Sequence, residues 1–144
     1  MTTGPENFRY HTPMAIRYRD MDTLGHVNNA VYLSYFEQAR VGYFNDQQLW
    51  TGEPSVLGLI VARITVEYKQ PLAMSDGIID VWTRCSRLGT RSFTMEHIIT
   101  RATDNAVAAT GEIVVVVFDY VNNQTVPLPD AWRARLTEYE PGLT

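Results

Sequence analysis

The sequence predicts an α+β fold in which one long helix packs against an antiparallel sheet. One stretch repeats its apolar residues at the helical period, and four later stretches repeat them at period two, with tight turns between. The strands are grouped rather than alternating with helices, which argues for an antiparallel sheet. The 144 residues suit one domain over 1–144, with 1–8 expected as a loose terminus because the stretch is small and polar around Gly4 and Pro5.

His11 to Arg19 reads as a first strand, with Met14, Ile16 and Tyr18 on one face. Asp20 to Asn28 carries Asp, Gly and Asn and reads as a loop. From Asn29 the pattern is helical: Tyr32, Tyr35, Phe36, Ala39 and Tyr43 recur at helical steps, and Leu33, Val41 and Phe44 widen the apolar face. Asn28 is the N-cap candidate, and the helix is expected to stop before Gly52 and Pro54. A helix this apolar is expected to be buried on most sides.

Beyond Pro54 the period becomes two. Ile60, Ala62, Ile64, Val66 and Tyr68 form an apolar face, and Leu59, Val61, Arg63, Thr65, Glu67 and Lys69 a mixed one. Pro71 and Ser75 to Gly77 turn the chain into a strand with Ile79, Val81, Thr83 and Cys85 in phase. After Leu88 to Thr90, Phe93, Met95, His97 and Ile99 alternate in the next strand. Asp104 and Asn105 precede Thr110 to Tyr120, which is valine-rich on both faces and reads as a central strand. Pro127 and Pro129 lead into a short amphipathic helix, Asp130 to Tyr139.

Composition narrows the function. A net charge of -4 disfavours nucleic acid as a partner. A lone cysteine, Cys85, excludes an internal disulfide and CxxC chemistry, and reads as a small core residue. The three His are too scattered to suggest a metal site, so neither metal nor cofactor is expected. The first residues lack a signal peptide's basic and apolar stretches, and the longest apolar run, Ile113 to Phe118, is far short of a membrane span. A soluble, cytoplasmic protein with no membrane partner is the expectation.

The dense polar segment is IRYRDMDTLGHVNNAVYLSYFEQAR, from Ile16 to Arg40. It sets Asp20, Asp22, Gly25, His26, Asn28 and Asn29 just before the apolar helix. A helix start offers unpaired N–H groups and the positive end of the macrodipole, which can stabilise an oxyanion. A carboxylate just upstream can attack a carbonyl or activate a water. Acyl transfer is therefore possible without Ser, Cys or metal.

The run D-x-D-x-x-G-H-V-N-N-x-x-Y, followed by E-x-A-R, resembles the hotdog-fold acyl-CoA thioesterases, in particular the 4-hydroxybenzoyl-CoA thioesterase-like group. V-E-Y-K-Q-P-L, Asp76-Gly77 and G-T-R-S-F agree with it, so the resemblance covers roughly Pro13 to Tyr120. It implies an antiparallel sheet of five or six strands around the helix, and subunits joined edge to edge as a homodimer or a dimer-of-dimers tetramer. It implies Asp22 as the catalytic carboxylate, nucleophile or general base, and the Asn29 N–H as oxyanion donor. His26 matches a common position that could orient substrate or water. The Gly89 to Phe93 segment matches a region that meets CoA, which makes Arg91 and Ser92 substrate-binding candidates.

Each residue also has a purely structural reading. Asp22 can shape the loop, and Asp20 reads as structural, paired with Arg17 or Arg19. His26 can satisfy backbone groups. Glu37 and Arg40 read as a helical ion pair, and His97 as a satisfied or partly exposed strand histidine. Tyr32, Tyr35, Phe36, Ile60 and Val61 are candidates for the pocket wall, and Arg84, Arg87, Arg91 and Arg101 for a basic patch that draws CoA phosphates. The function expected is hydrolysis of acyl-CoA to a carboxylic acid and free CoA. The alternative is a non-catalytic acyl-CoA or small-ligand binding protein on the same fold. A hotdog hydratase ranks last, since its Asp and His arrangement is not found.

Overall fold

Among the described residues, six strands and two α-helices build the fold in the order β1 (Tyr10–Ala15), α1 (Val31–Asp46), β2 (Leu57–Tyr68), β3 (Ile78–Leu88), β4 (Ser92–Arg101), β5 (Val107–Asp119), β6 (Gln124–Thr125) and α2 (Asp130–Tyr139). The structure, a computed structural model, describes residues 4–49, 57–140 and 142–143. The sheet is antiparallel with strand order β1-β3-β4-β5-β2, and β6 pairs with β5. It curls around α1, as the sequence predicts for a hotdog fold. No helix among the described residues is long and apolar enough to cross a membrane.

The inner face of the sheet follows the period-two reading. Ile79, Val81, Cys85, Phe93, Met95, Ile99, Ile113, Val115 and Val117 are all buried. Burial pushes the Cys85 thiol up to about 12, so it acts as a small hydrophobe. Phe36 of α1 stacks on His97 at 5.0 Å and lies over Gly111, where a Cβ would meet the ring at 2.7 Å. Gly111 therefore lets the helix settle onto the sheet. At the far end Glu140, just past α2, is buried. Its Oε2 accepts from the Tyr43 hydroxyl (2.7 Å) and the Cys85 N–H (2.8 Å), clamping α2 to α1 and β3.

Several expectations need correction. The first strand ends at Ala15, and a 3₁₀ turn (Tyr18–Asp20) follows, so Tyr18 is 86% exposed while Met14 and Ile16 join the core. From Gly4 onward the terminal segment touches the sheet: Gly4 lies against the Trp82 ring and Phe8 beneath the Arg84 guanidinium. The helix is buried along one stripe rather than on most sides, since Ser34, Glu37, Gln38, Val41 and Asn45 are exposed. It ends at Asp46 in a Schellman motif, with Leu49 N–H donating to Phe44 O and Gln48 N–H to Asn45 O around a left-handed Gln48. Gly52 and Pro54, the expected stop signals, lie outside the described residues.

β2 departs most from simple alternation. Its register with β5 skips Ala62, with Val61 opposite Val115 and Arg63 opposite Val114. One extra residue exchanges the faces. Leu59 and Val61 face α1 before the bulge, and Ile64 and Val66 pack against the core after it. Ile60 and Ala62, assigned to the inner face by unbroken alternation, are exposed.

Candidate active site

The loop before α1 is a closed hairpin. Met21 bridges Val27, Asp22 N–H donates to His26 O (2.8 Å), and Gly25 turns the tip at φ +84°. Asp20, 3% exposed, anchors its base. The Asp20 carboxylate accepts from the Arg17 N–H (2.9 Å) and the Tyr35 hydroxyl (2.8 Å), and its backbone O accepts from Asn28 N–H. Burial pushes the Asp20 carboxyl upward, but these two donors and the Arg17 charge outweigh it and hold it below its ordinary value. Asp20 is thus structural and paired with Arg17 (3.5 Å), as expected.

Asp22 is half-buried in this hairpin. Its Oδ1 accepts from Leu24 N–H (2.8 Å) and more weakly from His26 N–H (3.3 Å). Its Oδ2 takes no hydrogen bond among the described residues. The loop-shaping reading of Asp22 holds for one oxygen, which fixes the carboxylate's direction, while the other has no partner among the described residues. Asp22 stands between two clefts. One, of about 360 Å³, is bordered by His26, Asn29, Tyr32 and Tyr68. The other lies against Tyr18, Thr23 and Met74.

Across the first cleft is the start of α1. The helix begins at Val31 with Ala30 as its N-cap and no side-chain cap bond, so Asn28 is not the cap the sequence suggested; it shapes the turn into the helix, its Oδ1 accepting from Ala30 N–H (2.8 Å) and its backbone O from Val31 N–H (2.9 Å). The Asn29 N–H has no acceptor among the described residues and sits at the positive end of the helix. Periodicity places Tyr68 on the apolar face of its strand, yet it donates its hydroxyl to Asn29 O (2.8 Å). The Asn29–Ala30 peptide is thus held at both its carbonyl and its N–H. No pattern in the sequence singles out Tyr68, because the contact joins residues 39 apart across two elements. Tyr32 is buried beneath this arrangement, edge-on to Tyr68 at 5.0 Å, and burial pushes its hydroxyl pKa up.

The remaining candidates lie elsewhere in the chain. Tyr35 serves Asp20 and Phe36 stacks on His97, so neither borders this cleft. Val61 lines a second cleft further along α1. Arg91 and Ser92 are at the opposite end of the sheet: Ser92 pairs with Val116, whereas the Asp22 cleft meets β5 near Ala109, about 23 Å away at 3.3 Å per residue. Arg91 donates to Thr125 O. The expected basic patch does not form, because Arg84 pairs with Glu96 (2.7 Å) in the middle of β4 and Arg101 with Asp104 (2.9 Å) beyond its end. Glu37 and Arg40 make no ion pair among the described residues, although both border the same cleft. His97 is neither satisfied nor exposed: it is fully buried, Nδ1 meets Thr83 Oγ1 (2.9 Å), and Nε2 has no partner. Among the described residues no group of His, Cys, Asp and Glu could hold a metal.

Relatives share this architecture. The model of the thioesterase-like superfamily matches residues 16–136, from just after β1 through the site into α2. The long-chain acyl-CoA thioesterase FadM of Escherichia coli K12 is 26% identical over 128 residues, covering 88% of this chain and 96% of its own. A thioesterase from Thermus thermophilus, solved in complex with coenzyme A and Zn, is 36% identical with a TM-score of 0.80, over 95% of this chain and 99% of its own. The PA5185 protein of Pseudomonas aeruginosa shares the fold at a TM-score of 0.85 and 24% identity, over 96% of each chain. The helix-start site is thus built on a scaffold that thioesterases use, and the chain belongs to the thioesterase-like superfamily.

Proposed function

We propose that the protein hydrolyses acyl-CoA thioesters with Asp22 as the catalytic carboxylate. The observation that carries this reading is the pairing, across one cleft, of the free Asp22 Oδ2 with the free Asn29 N–H. The thioester carbonyl would lie over the helix start. Asp22 would take a proton from a water that attacks the carbonyl carbon, or attack that carbon itself to give an anhydride that water then opens. In either case negative charge grows on the carbonyl oxygen, where the Asn29 N–H and the helix dipole stabilise it. The C–S bond then breaks and CoA leaves as a thiolate, which needs no strong general acid. His26 borders the same cleft and would orient the substrate or the water.

The unit we propose is a homodimer, alone or paired into a tetramer. β2 is a 12-residue edge strand, and Ile60, Val61 and Tyr68 on it are 38–47% exposed. A long apolar edge invites pairing with another strand. Two-fold antiparallel pairing of β2 with its copy would set the Gly58 end of one strand beside the Tyr68 end of the other. Ser92 lies opposite Val116, and Val116 opposite Ile60, so this end also carries the β3–β4 turn. Val61 of the partner subunit, the partner's Arg91 and the partner's Ser92 would then complete the substrate site begun by Asp22, Asn29 and Tyr32.

Thiol release from a panel of acyl-CoAs of differing chain length and aromaticity tests the reading. Catalytic release of free CoA is expected. Saturable acyl-CoA binding without CoA release would assign the fold to a non-catalytic binder instead.

A further inference from the structure

One wall of the Asp22 cleft is the chain that leaves β2, with Tyr68, Lys69, Gln70 and Pro71 in turn. Its backbone is fixed on both sides. Lys69 N–H (2.8 Å) and Gln70 N–H (3.1 Å) both donate to Ala108 O, and Leu72 O accepts from Val27 N–H (2.8 Å), which ties the wall to the Asp22 hairpin. Two of its side chains are engaged: the Tyr68 hydroxyl on Asn29 O (2.8 Å) and the Lys69 ammonium on Glu67 (2.8 Å).

Gln70 is held from another strand. Arg101, the last residue of β4, donates through Nη2 to Gln70 Oε1 (2.6 Å). The same guanidinium grips Asp104 through Nε (3.2 Å) and Nη2 (2.9 Å), and Asp104 in turn accepts from Ala106 N–H (3.0 Å). The β4–β5 turn therefore sets the guanidinium, and the guanidinium sets Gln70. Arg has donors only, so it can meet the Gln70 amide only at its oxygen, and this decides which way the amide faces. The Nε2 end is left over, with no acceptor among the described residues.

An oriented amide donor on the wall beside Asp22 calls for an acceptor on the substrate. A hydrocarbon acyl chain has none, and the thioester oxygen is matched by the Asn29 N–H. The thiol arm of an acyl-CoA carries amide carbonyls. We propose that Gln70 binds the substrate, its Nε2 donating to an amide carbonyl of the pantetheine arm, and that Arg101 is its positioning residue. The inference rests on the acyl-CoA reading above and adds to it the residue that recognises the arm.

Steady-state hydrolysis of two uncharged thioesters by the full chain tests this: octanoyl-pantetheine, which has the amides, and octanoyl-mercaptoethanol, which has none. Gln70→Leu and Gln70→Glu should each raise KM for octanoyl-pantetheine about fivefold, the scale of one neutral hydrogen bond, with kcat within about twofold of wild type. Gln70→Glu separates donation from wall-holding, because its carboxylate still accepts from Arg101 but has no proton to give. Neither variant should change KM for octanoyl-mercaptoethanol. Arg101→Met lets the amide turn over and should raise KM about threefold, Arg101→Lys should keep it within about twofold, and Arg101→Met should add nothing in the Gln70→Glu background. If Arg101→Met does not fold, Gln70→Glu, at an exposed residue, carries the test. Titration calorimetry with S-octyl pantetheine, a thioether that cannot be hydrolysed, repeats the comparison without chemistry. Gln70→Glu should bind it about fivefold more weakly than wild type even where the hydrolytic reading fails. Wild-type KM and affinity in Gln70→Glu, or an equal KM rise on octanoyl-mercaptoethanol, overturns the proposal.

Discussion

Replacing Asp20 tests whether the loop that carries Asp22 is held as described. In Asp20→Ala the buried Tyr35 hydroxyl and the Arg17 N–H both lose their acceptor. A buried donor stranded from a charged partner costs about 1.5–3 kcal/mol, and a part-buried one about 1 kcal/mol, so the variant should lose about 3 kcal/mol. Both bonds fall on the same oxygen, Oδ2, so the single amide oxygen of Asp20→Asn can keep them while the charge is lost. That variant should lose about 1 kcal/mol, the charge-assisted share. The pH dependence follows from the lowered folded-state pKa. The folded chain holds the Asp20 proton less tightly than the unfolded chain, whose ordinary value is 3.8. The stabilisation is complete above that value and is lost as pH falls through the lower folded one, so wild type should converge on Asp20→Asn in acid. Urea unfolding at pH 7 and pH 3, at one fixed protomer concentration, measures both effects. A deficit under about 0.5 kcal/mol in Asp20→Ala at pH 7, or an Asn deficit independent of pH, would refute the network's role.

Three other outcomes follow from the same geometry. Glu140→Ala strands the Tyr43 hydroxyl and the Cys85 N–H and should cost about 2–4 kcal/mol by denaturant unfolding, whereas Glu140→Gln keeps an acceptor for both and should stay within about 1 kcal/mol of wild type. Burial raises the Glu140 carboxyl, so its charged form weighs against folding as pH rises through that value, and Glu140→Gln should flatten this part of the stability profile. Tyr68→Phe frees the Asn29 carbonyl and should lower kcat about tenfold, a fraction of the effect of losing an oxyanion donor, with a melting temperature near wild type. Lysines at Ile60 and Ala62, both exposed on β2, should give monomers by sedimentation velocity and abolish thioester hydrolysis together with the dimer.

Much of the fold was legible because period and burial coincide. The alternation of Phe93, Met95, His97 and Ile99, and of Ile79, Val81, Thr83 and Cys85, marks the inner sheet face residue for residue. The misreadings have local causes. One bulged residue, Ala62, reverses the faces of β2, and alternation carries no sign of where an extra residue will be accommodated. Gln48 ends α1 in a left-handed conformation usually left to Gly or Asn, so the sequence offered no stop signal there. At the site, Asp22, His26, Asn28 and Asn29 were legible because they are close in sequence and a helix start gathers them. Tyr68 was not, since its role depends on a partner across the fold. Arg40 and Glu37 illustrate the limit of spacing: three apart on a helix permits an ion pair, but the two side chains are not in ion-pair range.

The central claim is that Asp22 performs the chemistry, and steady-state hydrolysis by Asp22→Asn tests it most directly. The amide can still accept from the Leu24 N–H, so the loop should keep its shape and melting temperature. It cannot act as base or nucleophile, and kcat on the best acyl-CoA substrate should fall by about 10²–10⁴-fold. A folded Asp22→Asn enzyme that releases CoA at the wild-type rate would contradict the account.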